Sequence, residues 1–360
     1  MGNRLRGMIM ATMVVGWTTL YMQVATQQFE AMFVFGDSLI DPGNNNFLVD
    51  SMAKANYIPY GVDFQGPTGR FSNGKTIIDF LGEMLGLPLI PAYTDPSATG
   101  SNILKGINYA SASAGILDET GQNLGGRFTF SEQIQNFERT WNQLKSKMGE
   151  QDLKSYLNKS LVVISIGSND YINNYLQPSF YTTSYLYNPT DYADLLIKRF
   201  SKQIPVLHGL GLRKFILAGI GPLGCIPNQV TTMLPQQGQC LSRVNDMVLQ
   251  FNSRLRTLVD QFNQDLVASK FIYGNTFEAF NNIITNASSY GFIVKDMGCC
   301  GIAKQITCLP FSVPCPDRTK YIFWDAFHPT EAVNHILANN AYSGPPSLCY
   351  PMNLQQLAQL

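Results

Sequence analysis

Histidine is scarce in this 360-residue chain: His208, His328 and His335 are the only three. Any mechanism that needs an imidazole must choose among them, and a two- or three-histidine metal site would consume nearly all. Charge is scarce as well, at 14% of residues, with 25 Lys plus Arg against 25 Asp plus Glu. Without a basic surplus, electrostatic capture of nucleic acid is excluded as a main activity. There is no GxSxG, so the nucleophile elbow of the α/β-hydrolases has no place, and Ser111-Ala112-Ser113-Ala114-Gly115 only approximates it. No cysteine lies in the first half, no CxxC pair occurs, and no cysteine has a histidine at metal-ligand spacing. No internal repeat, low-complexity tract or Pro/Gly linker marks a domain boundary.

The chain does have enough apolar residues, 45%, for a substantial core. Arg4 and Arg6 precede an apolar stretch, Met8 to Ala25, and no acidic residue appears before Glu30. This reads as a cleaved secretion signal over residues 1–25, with a membrane anchor as the alternative. Its removal takes two positive charges and leaves a slightly acidic single domain over 26–360. No later apolar run is of comparable length, so no integral membrane segment is expected after signal removal. The seven cysteines, Cys225, Cys240, Cys299, Cys300, Cys308, Cys315 and Cys349, are consistent with three disulfides and one free thiol, or with plain buried thiols. Asn158-Lys159-Ser160 and Asn286-Ala287-Ser288 are glycosylation acceptor sequons.

Short β-branched and aromatic runs alternate with helix-length segments. Ala31–Phe35, Leu161–Ile166, Lys214–Ile220 and Lys270–Gly274 are apolar without alternation, as strands buried on both faces of a parallel sheet must be. Gly106–Ser111 is a weaker strand candidate. Helices are expected over Thr76–Leu85, Ser131–Met148, Asp191–Leu207, Ser242–Asp265 and Pro329–Ala341, with another start at Thr276 and Pro329 at a first helical position. Thr94–Gly100 and Leu234–Gln239 read as surface loops. The alternation argues a doubly wound α/β sheet, whose ligands sit beyond the carboxyl ends of the strands.

Candidate chemistry lies where those strands stop. Gly36-Asp37-Ser38-Leu39 follows the first, and Ser38 reads either as an exposed nucleophile or as a helix cap. Gly167-Ser168-Asn169-Asp170 follows the second, and Asn169 reads either as an oxyanion donor or as an Asx turn. Gly115, between them, offers an unobstructed backbone N–H or merely a turn. In Trp324-Asp325-Ala326-Phe327-His328-Pro329, Asp325 and His328 are three apart, so within a helical turn the carboxylate reaches the imidazole; the alternative is a helix-start Asp. His335 and His208 read as packing or surface residues. Gly219-Ile220-Gly221-Pro222-Leu223-Gly224 matches GxGxxG literally, but no helix opens at its end and no acidic residue follows until Asp246, which argues against a dinucleotide site. Tyr171–Tyr187, with five tyrosines and Phe180, reads as a pocket wall or as packing, and Gly61–Arg70 and Leu87–Tyr93 as other candidate walls.

Taken in order, GDSL at 36–39, the Gly115 segment, GSND at 167–170 and DAFHP at 325–329 resemble the four blocks of the GDSL (SGNH) esterase/lipase family. The flanking FVFGDSLIDPGNNN, GPLGCIP and FWDAFHPTEAVN resemble its plant branch over residues 32–350, although Ala112 and Ser113 stand where that branch often has glycines. The resemblance implies a three-layer α/β/α fold with a mostly parallel sheet, of the SGNH-hydrolase, flavodoxin-like type. It implies Ser38 as nucleophile, His328 as base, Asp325 as its orienter, and an oxyanion hole from the Ser38 amide, Gly115 and Asn169. The expected enzyme is a secreted carboxylic ester hydrolase acting on a small-molecule or lipid ester, without cofactor or metal, in a plant extracellular setting. Acyl transfer by the same acyl-enzyme and a catalytically idle binding protein are the competing readings.

Overall fold

The structure, a computed structural model, describes residues 28–232, 239–300 and 306–360. The expected leader and nearly all of the Leu234–Gln239 loop lie outside the described residues. The four apolar runs are strands β1 (Met32–Gly36), β2 (Leu161–Ser165), β3 (Lys214–Ala218) and β4 (Lys270–Gly274). They pair in parallel in that order, with Met32 opposite Leu161, Leu161 opposite Lys214 and Lys214 opposite Lys270.

Both faces of this sheet are covered, which is why the middles of its strands are apolar without alternation, polar residues standing only at strand ends (Ser165, Lys214, Lys270). Phe33, Phe35, Val162, Ile164, Phe215 and Leu217 point into one core; Met32, Val34, Leu161, Val163, Ile216 and Ile272 point into the other. Helix α1 (Ile77–Met84) packs on the second face, and α2 (Phe130–Asn158), α3 (Pro189–Gly209), α4 (Ser242–Asp265) and α5 (Thr276–Thr285) bury apolar residues in the first core. The result is the three-layer α/β/α arrangement.

Four elements carried no clear sequence signal. Strands β5 (Val294–Gly298) and β6 (Tyr321–Phe323) form a separate parallel pair. After α6 (Glu331–Ser343), the two-residue β7 (Cys349–Tyr350) adds to β4 antiparallel, and a last turn, α7 (Leu354–Leu357), closes the second core.

Several boundaries differ from expectation for identifiable reasons. Gly106–Ser111 forms no full strand but pairs with β1 in parallel through a single bridge, Val34 opposite Asn108, with Val34 N–H donating to Ile107 O, Tyr109 N–H to Val34 O and Ser111 N–H to Gly36 O; Gly106 has φ +113°. Helix α2 starts earlier than Ser131, because Thr129 and Glu132 form a capping box. The expected end at Met148 falls at a break, Gly149 with φ +77°, after which the helix resumes to Asn158. Pro329 is not in α6: Thr330, extended at ψ 162°, is the N-cap, and its hydroxyl donates to Tyr321 O. Asn188 caps α3 and Asn275 caps α5, each through its side chain.

Candidate active site

The turn after β1 passes very close to β2. A Cβ on Gly36 would lie 2.2 Å from Ser165 O, so only glycine lets the chain turn here. Asp37 N–H donates to Ser165 O, and the buried Gln133 of α2 grips Gly36 from both sides, accepting from its N–H and donating to its carbonyl at 2.9 Å each. Ser38 emerges from this clamp half-buried.

His328 meets it from the other end of the chain. Its Nε2 lies 2.8 Å from Ser38 Oγ, and its Nδ1 lies 2.8 Å from Asp325 Oδ2 and 2.9 Å from Oδ1. A carboxylate only accepts, so Nδ1 carries the proton and Nε2 is left to accept from the serine hydroxyl. The expected helical turn is absent: Asp325–His328 is a bend in which Asp325 Oδ1 accepts from the Phe327 and His328 amides at 2.8 Å each. The carboxylate that orients the ring therefore also shapes the turn that carries it.

Two residues without any sequence signal complete this end. Tyr60 Oη donates to Asp325 Oδ2 at 2.6 Å and accepts from Cys308 N–H at 3.2 Å. Phe71 lies against the imidazole, ring centroids 4.8 Å apart. Burial pushes the Asp325 carboxyl up, but His328 and the hydrogen bonds from His328, Tyr60 and Phe327 hold it below the ordinary 3.8. Behind it, Tyr60, Phe71 and Trp324 form a third small core with Cys299, Cys300 and Cys308. Cys299 is bridged to Cys315, Cys300 to Cys308 and Cys225 to Cys240, leaving Cys349 as a buried free thiol.

Asn169 sits in a helical turn, Ser168–Asp170, just past β2. Its Nδ2 donates to Ala114 O at 3.0 Å, and its Oδ1 accepts from Asn173 Nδ2 at 2.6 Å. Asn173 thereby fixes which way the amide faces. Asp170 ties the same turn to the Gly115 segment, accepting from the Ile116 and Leu117 amides and the Thr120 hydroxyl at 2.7, 3.1 and 2.8 Å. A Cβ on Gly115 would strike Thr120 Cγ2 at 2.4 Å. Among the described residues, neither the Ser38 nor the Gly115 N–H has a hydrogen-bond acceptor. Asp41 and Asn45 hold the neighbouring Ala112 by its N–H and its carbonyl, both at 3.0 Å.

Three buried carboxyls surround this arrangement. Burial pushes Asp37 and Asp170 up to about 7 and Asp41 to about 6, against the backbone amides they accept from. Among the described residues Asp37 accepts only from Leu39 N–H, and its Oδ2 has no partner.

The other candidates lie apart. Ser113, the rival serine, is buried, and among the described residues its hydroxyl has no partner. His335 is exposed on α6 against Phe80, and His208 ends α3. Tyr171 and Tyr175 pack on Tyr192 in the core, while Phe180 and Tyr185 are 66% and 76% exposed. Of the other candidate walls, Gly61–Arg70 serves through its end, where Arg70 pairs with Asp79 of α1 beside Phe71.

An activated-serine geometry of this kind suits acyl transfer chemistry. A family model described as GDSL-like lipase/acylhydrolase matches residues 32–341. Among curated proteins, the chain is 54% identical to GDSL esterase/lipase At5g08460 of Arabidopsis thaliana, over 93% of this chain and 89% of that one. It is 51% identical to At1g71250, over 92% and 89%, and 50% identical to GDSL esterase/lipase 7, over 92% of each, both also from Arabidopsis thaliana. Among the described residues no helix is long and apolar enough to cross a membrane. The chain belongs to the GDSL esterase/lipase family and is an ester-hydrolysing enzyme, a carboxylic ester hydrolase.

Proposed function

We propose that Ser38 is the nucleophile of this hydrolase, His328 its general base and Asp325 the group that orients and stabilises the imidazole. Ser38 Oγ attacks the ester carbonyl while His328 Nε2 takes its proton. The tetrahedral oxyanion is received by the Ser38 and Gly115 amides and by the second N–H of Asn169 Nδ2. Collapse expels the alcohol, which takes the proton back from His328, and water then releases the acid by the same steps in reverse. The observation that carries this reading is the unbroken line from Ser38 Oγ through His328 to Asp325, each link near 2.8 Å. The two unengaged amides and the fixed orientation of Asn169 support the oxyanion assignment.

The substrates we propose are uncharged esters, either acyl lipids or acylated small molecules. Secretion is part of the same proposal: residues 1–25 act as the signal, 26–360 form one hydrolase domain, and the enzyme works in the cell wall or apoplast. Three disulfides and the exposure of Asn158 and Asn286, the sequon asparagines, support it. A fluorophosphonate probe tests the core of the reading. Wild type should be labelled and Ser38→Ala should not; labelling or esterase activity that survives Ser38→Ala overturns it.

A further inference from the structure

Beside the site, between the sheet and helices α1, α5 and α6, lies a half-enclosed cavity of about 110 Å³. Its half-buried rim consists of neighbours of the proposed machinery: Leu39 follows Ser38, Ser168 precedes Asn169, and Phe327 precedes His328. Deeper in, Val163, Ile216, Leu337 and Cys349 are buried, while Asn275, Asn340, Ala341 and Leu348 on the far side are half-buried. Ser165 and Ala218, the last residues of β2 and β3, stay half-buried although helices cover both faces of the sheet, because their side chains border this space.

No lining residue is Asp, Glu, Lys, Arg or His, so the cavity offers nothing to a charged group. Its room comes partly from Gly221. A Cβ there would sit 3.6 Å from Phe280 Cδ1 and 4.0 Å from Thr276 Cγ2, ordinary contact distances, and its φ is not left-handed. Neither backbone conformation nor packing calls for glycine at this position. What the glycine does is leave space. The Gly219–Gly224 run, which imitates a dinucleotide fingerprint, thus forms part of a cavity wall.

We infer that this cavity holds the acyl chain of the ester, an unbranched aliphatic group, and that Gly221 sets the chain length accepted. The inference rests on Ser38 being the nucleophile. In a two-step transfer the acyl group stays on the serine while the alcohol leaves and water enters, so the enclosed space suits the group that remains. A cavity of about 150 Å³ binds benzene, so 110 Å³ has room for on the order of four carbons.

The test is kcat/KM for p-nitrophenyl acetate, butyrate, hexanoate and octanoate, in wild type, Gly221→Leu and Gly221→Ala. Wild type should gain roughly fourfold per added methylene up to about butyrate or hexanoate and then level or fall. Gly221→Leu should lower the hexanoate-to-acetate ratio by about tenfold or more, and Gly221→Ala by less in the same direction. A second series, acetates of alcohols of increasing length, should not change its profile. An unchanged acyl profile in both variants, or a change confined to the alcohol series, overturns the inference. Ser38→Ala, run alongside, reports separately on the nucleophile: activity that persists there condemns that assignment, whereas Ser38-dependent activity with an unaltered acyl profile condemns only the acyl chamber.

Discussion

Tyr60 and Asp325 are 265 positions apart in the chain, yet the tyrosine hydroxyl donates to the buried carboxylate at 2.6 Å. Among the described residues it is the one side-chain hydroxyl on Asp325, and it works against burial, which pushes that carboxyl up. Tyr60→Phe should lower kcat about tenfold with KM little changed, since a hydrogen bond to a charged group contributes about 1.5–3 kcal/mol. It also leaves the Cys308 N–H unpaired. Steady-state kinetics check this, and kcat within about twofold of wild type would refute it.

Asn173 makes a sharper case, because two substitutions should rank in a definite order. Asn173→Ala removes the donor that fixes the Asn169 amide. Asn173→Asp places an acceptor against Asn169 Oδ1 and drives the amide to flip, turning its oxygen toward the proposed oxyanion site. Asn169→Ala should cost on the order of 10²–10³ in kcat. Asn173→Asp should approach that loss and Asn173→Ala should fall between it and wild type. A purely structural role would give equal effects, read as lost stability.

Arg70 and Asp79 form a buried bidentate pair, 2.8 Å on each arm, that anchors the loop bearing Phe71 to α1. Arg70→Met leaves the buried Asp79 carboxylate without its counter-charge, with only the Thr76 N–H and hydroxyl donating to it, and should destabilise by about 3 kcal/mol. The double variant Arg70→Met/Asp79→Leu should recover most of this, as measured by urea midpoint. If the single variant is as stable as wild type, the pair is not holding that loop.

Acid should stabilise the fold over a defined window. Asp37 and Asp170 titrate near 7 and Asp41 near 6 when folded, against 3.8 for an ordinary carboxyl. Between those values the folded state holds protons that the unfolded chain has released, so stability falls as pH rises from about 4 to about 7. Asp325, shifted the other way, adds stability above 3.8 that is lost at lower pH. The melting temperature should therefore be higher near about pH 5 than near about pH 7.5, and Asp37→Asn should flatten that slope. A melting temperature that climbs over the same interval contradicts this account.

Much of the scaffold was legible because its signals are local. Leu161–Ser165 is a strand on composition alone, and the Ser38 and Asn169 segments each sit where such a strand ends. What was not legible depends on long-range packing. Strand β5 carries Lys295 and Asp296 and is mostly half-exposed, so it lacks an apolar run. Tyr60 and Phe71 lie in a stretch without periodicity, and nothing local distinguishes them from other loop aromatics. The Asp325 to His328 spacing was read as helical, whereas a side-chain-capped bend gives the same proximity. Gly221 was read within a false fingerprint, since a glycine that leaves space looks the same in sequence as one that binds phosphate.

Ser38 hangs from β1 of the large sheet, whereas Asp325 and His328 follow β6 of the small one. The 2.8 Å contact between Ser38 and His328 is thus a gauge of how the two sheets are seated against each other. Catalysis should be the first property to fail under stress: a slip at that seam of less than the length of a bond separates the His328 imidazole from the Ser38 hydroxyl while both sheets keep their hydrogen bonds. In rising denaturant, loss of turnover should run ahead of loss of secondary structure, making the enzyme's own activity the most sensitive reporter of its tertiary fit.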